Sequence, residues 1–91
     1  MNVTEALARL NDSYEFPTDF VFKVIGRSAS RFEEEVREVC SKRGGSKAWS
    51  CRESKGGKHR ALTFTLFVES ADDVLTIWSE LRACDGTHML L

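Results

Sequence analysis

The stretch Asp-Phe-Val-Phe-Lys-Val-Ile-Gly, residues Asp19–Gly26, leaves little freedom in what this chain can fold into. It packs β-branched and aromatic residues into one strand length and closes on a glycine followed by a helix-start signal, which suits a central strand feeding a crossover helix. Side chains alternate along a strand, so Phe20, Phe22 and Val24 take one face and Val21, Lys23 and Ile25 the other. The all-apolar set is expected to face helices.

After Gly26-Arg27, Ser30 followed by Glu33 has the form of a capping box, and Glu33, Glu34 and Glu35 place negative charge at the positive end of the helix dipole. Phe32, Val36, Val39 and Cys40 recur as one face of an amphipathic helix, which Lys42, Arg43 and then Gly44-Gly45 bring to an end. Lys47–Glu53 alternates around Trp49 and Cys51 as a second strand, and Ser54-Lys55-Gly56-Gly57-Lys58 is a flexible hairpin connection. His59–Glu69 is a further strand with Leu62, Phe64, Leu66 and Val68 on one face, opposite Ala61, Thr63, Thr65 and Phe67. Ser70 with Asp73 repeats the cap. Ala71, Val74, Leu75, Trp78 and Leu81 form a second helical stripe that ends near Cys84-Asp85-Gly86, before a last strand, Thr87–Leu91.

Upstream, Val3, Ala6, Leu7 and Leu10 share one side of a short helix over residues 1–10, and Asn11-Asp12-Ser13 breaks the pattern. Pro17 holds Phe16 extended, and Tyr14 and Phe16 are expected to pin this lead-in to the domain. Residues 1–13 are therefore an N-terminal extension and residues 14–91 the domain proper. The order β-α-β-β-α-β, with right-handed crossovers and short hairpins, leaves few topologies. The one it satisfies is the ferredoxin-like α+β sandwich: a four-stranded antiparallel sheet in the order 4-1-3-2 with both helices on one face, which puts the two most apolar strands in the middle.

With 91 residues the chain has room for one core. It contains no run near the roughly 20 apolar residues that span a bilayer, and Met1–Leu10 lacks both a basic opening and an apolar h-region, so a cytoplasmic protein without a signal peptide is expected. Three widely spaced cysteines, Cys40, Cys51 and Cys84, fit reduced thiols better than a disulfide framework or a zinc site. A net charge of −1 and a pI of about 6.1 remove the global basic field that non-specific nucleic-acid binders use.

Phe16-Pro17-Thr18-Asp19-Phe20, Phe22-Lys23-Val24-Ile25-Gly26, the Ser54–Lys58 hairpin with its following strand, and the terminal His88-Met89-Leu90-Leu91 resemble the YbeD-like family. The resemblance covers residues 14–91. It implies a small cytoplasmic bacterial protein with a ferredoxin-like fold close to that of ACT regulatory domains, a regulatory or small-ligand-sensing role, and no catalytic residues to carry over. The glycine, lysine and serine content around residues 43–47 departs from the family pattern and leaves the end of the first domain helix open.

The topology brings the loop after the first strand, the hairpin and the loop near Gly86 to one end of the sheet. Arg27, Ser28, Lys55 and Lys58, with the free amides at the start of the first domain helix, then form a candidate anion site. The same glycines and lysines also make a soluble turn with no ligand. Val21, Lys23, Ile25, Thr63, Thr65 and Phe67 line the sheet face away from the helices, a mixed surface suited to association. Dimerisation through this face or the second-strand edge near Trp49 is one use for it, and shielding by the N-terminal segment is the other.

An RNA-recognition module shares the topology, but the third strand lacks its glycine-aromatic pattern, so nucleic acid is not the expected partner. An acylphosphatase would need an asparagine on the sheet, and both asparagines, Asn2 and Asn11, lie outside the domain. Cys84 and His88 alone do not close a metal site, and His59 and Trp78 are taken as a polar turn residue and a core residue. The expectation is a non-catalytic regulatory or anion-sensing module without cofactor or metal. The alternative is an adaptor that acts by protein association through the open sheet face.

Overall fold

In the computed structural model, which describes residues 2–91, the chain runs α1 (Val3–Ser13), β1 (Thr18–Arg27), α2 (Phe32–Lys42), β2 (Lys47–Glu53), β3 (His59–Val68), α3 (Ala71–Ala83) and β4 (Thr87–Leu90). The four strands form one antiparallel sheet in the order β2-β3-β1-β4, the ferredoxin-like arrangement that the element order implies. The two ten-residue strands are central and pair along their whole length, from Thr18 opposite Val68 to Arg27 opposite His59.

This register puts the apolar sets of both strands on the helix side. Phe20, Phe22 and Val24 of β1 and Leu62, Phe64, Leu66 and Val68 of β3 are all buried there, against Phe32, Val36, Val39 and Cys40 of α2. Phe64 is stacked between Phe22, at 5.9 Å between centroids, and Trp49 of β2, at 5.4 Å. Gly26 ends the buried row because a Cβ there would enter the ring of Phe32.

Two helices differ from the sequence expectation. In α3 the buried positions are Ala71, Val74, Ile77 and Leu81, whereas Leu75 and Trp78 are half-buried. A helix seated on a sheet turns one narrow stripe inward, and the flank carrying Leu75 and Trp78 faces α1 instead. α1 continues through Asn11-Asp12-Ser13, with the Asn11 side-chain amide donating to the Leu7 carbonyl and the Tyr14 amide donating to that of Leu10. Tertiary packing overrides the weak helix propensity of those three residues, because Leu10 is buried in the same core as the sheet.

Burial acts on two thiols in this core. It pushes the Cys84 thiol up to about 11 from an ordinary 9.0, with nearby Glu35, Cys40, Glu38 and Glu80 adding to the rise, and it raises Cys40 as well. The unfolded chain releases the Cys84 proton near pH 9 and the folded chain near 11, so the unfolded state gains as pH rises through that window. The contribution of Cys84 is complete below pH 9 and lost by about pH 11. Cys84→Ala should therefore flatten the fall in stability across those two pH units by on the order of 2 kcal/mol, read from urea midpoints. Parallel pH profiles for the two proteins would contradict this.

Candidate functional site

The end of the sheet at which β1 finishes is sewn together by backbone bonds from consecutive residues. The Arg27 amide donates to the Gly86 carbonyl at 2.9 Å and the Ser28 amide to the Lys58 carbonyl at 3.0 Å, so the three loops meet there as the topology requires. The hairpin closes on itself through Gly57 to Ser54 and Ser54 to His59 bonds, with Gly56 and Gly57 at φ of 93° and 71° that other residues rarely adopt.

Between the loops lies a cavity of about 420 Å³ lined by Arg27, Ser28, Ala29, Gly57, Lys58 and His59. The Ser28 hydroxyl is enclosed without a hydrogen-bond partner. Among the described residues the Arg27 and Lys58 side chains make no ion pair. The His88 ring of β4 stands 5.5 Å from that of His59 across the end of β1. Three of the four candidate anion-site residues thus share one cavity, while Lys55 sits outside its lining.

Two of the amides expected to complete that site, those of Arg31 and Phe32, are engaged elsewhere. The Ser30–Glu33 capping box does not form, and α2 starts at an N-cap, Arg31, that makes no side-chain cap bond of its own. Asp85, in the loop before β4, accepts from the Arg31 amide at 3.0 Å, and its own amide donates to the Glu35 carboxylate at 2.9 Å. Ser30 accepts from the Phe32 amide and donates to the Arg27 carbonyl. A carboxylate of this chain therefore already holds the positive end of the helix dipole.

Across the open sheet face, the register sets Lys47, Thr65 and Val21 in one row, Ser50, Thr63 and Lys23 in the next, and Arg52, Ala61, Ile25 and Met89 in the third. Val21, Phe67 and Met89 are 61%, 54% and 46% exposed. No helix covers the six candidate interface residues of β1 and β3. Trp49, the seventh, is on the opposite side. A bulge at Ala48, where φ is 52°, sets the parity of β2 so that Trp49 stacks on Phe64 beneath the Arg37 guanidinium, 4.1 Å from the ring centroid.

The sequence reading gave no role to Arg60. On the helix side of β3 it donates to Glu33 of α2 at 2.8 Å and to Glu53 of β2 at 3.1 Å, clamping three elements together, and these two carboxylates hold its pKa above the ordinary value. An arginine in an otherwise apolar row is the signal that would have found it.

Arg27 and Lys58, without ion pairs among the described residues, therefore line the same cavity as the enclosed Ser28 hydroxyl. Among the described residues, no group of three or more His, Cys, Asp and Glu converges to hold a metal ion. The family model for the protein of unknown function DUF493 matches residues 11–91. The chain belongs to this family. Bacterial proteins are similar along most of the chain: the UPF0250 protein of Shewanella sediminis is 30% identical over 84 residues, covering 91% of this chain and 96% of that protein. The UPF0250 protein YbeD of Escherichia coli O1:K1 is 29% identical over the same length, covering 91% and 97%, which bears out the YbeD-like resemblance. Among solved structures, the ACT domain from the GTP pyrophosphokinase of Chlorobium tepidum superposes on this DUF493 domain with a TM-score of 0.66 at 18% identity, over 81% of this chain and 97% of that one. The ACT-like fold is therefore shared. No helix of the described residues is long and apolar enough to cross a membrane.

Proposed function

We propose that this protein is a non-catalytic, cytoplasmic regulatory module that senses a small phosphate- or carboxylate-bearing anion at the β1 end of its sheet. The observation that carries this reading is the enclosed, unpartnered Ser28 hydroxyl between the unpaired Arg27 and Lys58 cations. Such a hydroxyl loses its penalty when a ligand oxygen accepts from it. Lys55, outside the lining, contributes only long-range attraction. Residues 14–91 carry the site, and the extension serves the core through Leu10.

Titrating the isotope-labelled protein with inorganic phosphate should shift the amides of residues 27–30 and 57–59, and Arg27→Ala should abolish those shifts. Ligand at 100 times its Kd should also add about 2.7 kcal/mol of stability. Unchanged spectra in the parent protein would exclude phosphate, and unchanged shifts in the Arg27 variant would remove that residue from the site.

A second reading, an adaptor that associates with another protein or a second copy through the open face, is favoured by the exposure of Val21 and Phe67.

A further inference from the structure

We infer that the open sheet face receives an acidic amphipathic segment of another protein. This rests on the adaptor reading and supplies the partner chemistry that it lacks. Although the net charge is only −1, the charge is split between the two layers of the fold. Residues 18–27 and 47–68, which make β1, β2, β3 and the hairpin, hold seven of the 13 lysines and arginines but two of the 14 acidic residues. The helices and their flanking loops hold the remaining acid. Arg60 among these is spent on the helix side, and on the open face Lys47 pairs with Asp19 at 3.5 Å, which leaves Lys23 and Arg52 as unpaired positive charge that attracts an acidic partner and repels a basic one.

The face also has an apolar lane. Phe67, Val21, Ile25 and Met89 lie along it, and Thr63, Thr65 and Ala61 between them are too small to obstruct an approaching helix. Next to Ile25 and Ala61 is a depression of about 130 Å³ bordered by Arg52, His59 and the Glu53–Arg60 ion pair, with room for a single apolar side chain. Lys23 stands inside the lane and Arg52 at its rim, exposed and without an ion pair among the described residues. Apolar anchors flanked by unpaired cations match a segment with leucine or phenylalanine on one side and glutamate or aspartate on the other.

Two other occupants fit less well. A second copy docked face to face on a two-fold axis meets a face of the same charge, with the cationic surplus of one sheet brought against that of the other. Single-stranded nucleic acid stacks on aromatic platforms, and this lane offers one exposed aromatic ring, Phe67, among aliphatic side chains.

The probe is a synthetic amphipathic peptide of about four helical turns, with glutamates on its polar side and leucine and phenylalanine on the other. Added to the isotope-labelled full chain, it should shift Val21, Lys23, Ile25, Thr63 and Phe67. Its affinity should fall about tenfold or more in the Lys23→Glu, Arg52→Glu double variant, and fall with added salt. Both residues are exposed, and an unchanged melting temperature shows that the variant folds. The inference is overturned by an absence of shifts, by shifts on the helices, or by equal binding of a peptide with lysines in place of the glutamates. Tighter binding of an oligouridine to the same face, or a wild-type dimer in sedimentation that the double variant changes, also overturns it by naming a different occupant. Phosphate shifts at residues 27–30 in the double variant report the cavity independently, so the two readings fail separately.

Discussion

Phe64→Ala should remove about 3–5 kcal/mol of folding stability, a large share of the roughly 5–15 kcal/mol that holds a domain folded. Phe64 is fully buried and stacked on both sides, by Phe22 from the central partner strand and by Trp49 from the edge strand. Alanine would lose the transfer free energy of the ring and leave a void that the paired strands β1, β3 and β2 cannot close without breaking their ladders. Urea denaturation followed by circular dichroism measures this, with an unchanged m-value expected. Tryptophan emission should shift in the same variant while it is still folded, because Trp49 loses its stacking surface. A loss under about 1.5 kcal/mol would mean that the site collapses around the smaller side chain.

The second large effect is at Gly26, where the space belongs to Phe32. Any Cβ there overlaps the ring of a side chain that is 1% exposed, so Gly26→Ala should cost about 1–3 kcal/mol by overpacking, although alanine is an ordinary strand residue. The decisive measurement is a double-mutant cycle with Phe32→Leu. A smaller side chain at residue 32 makes room, so the alanine should cost less in that background, with a coupling of about 1 kcal/mol or more. Additive costs would show that Gly26 is required for some reason other than the ring.

The sheet was legible in the sequence because β1 and β3 advertise a period of two with β-branched and aromatic residues, and the short hairpin and two crossovers then admit few strand orders. The stripe Phe32, Val36, Val39 and Cys40 was equally plain, and all four residues are buried. Features set by contacts distant in sequence could not be read locally. The α2 cap comes from Asp85, which no spacing rule links to Arg31. The face occupied by Trp49 depends on a one-residue bulge at Ala48, a non-glycine residue at positive φ that gives no sequence signal. Ile77 displaced Trp78 from the core because hydrophobic spacing identifies a sector of a helix, and only packing selects the line within it.

For the candidate site, topology alone brought Arg27, Ser28 and Lys58 together, because the loops at one end of this sheet have nowhere else to go. Which amides stay free there depends on side chains competing for them, and that competition is a three-dimensional fact.

The bond between Asp85 and the start of α2 spans 54 positions, which bears on how the chain is made. On the ribosome, α2 emerges long before the residue that caps it, and β1 emerges before both of its neighbours, β3 and β4. Nothing translated early can complete the sheet, and pairing at such separation is slow. A nascent chain halted short of Asp85 therefore has β1 paired on one edge only, against β3, with the edge that β4 covers left open.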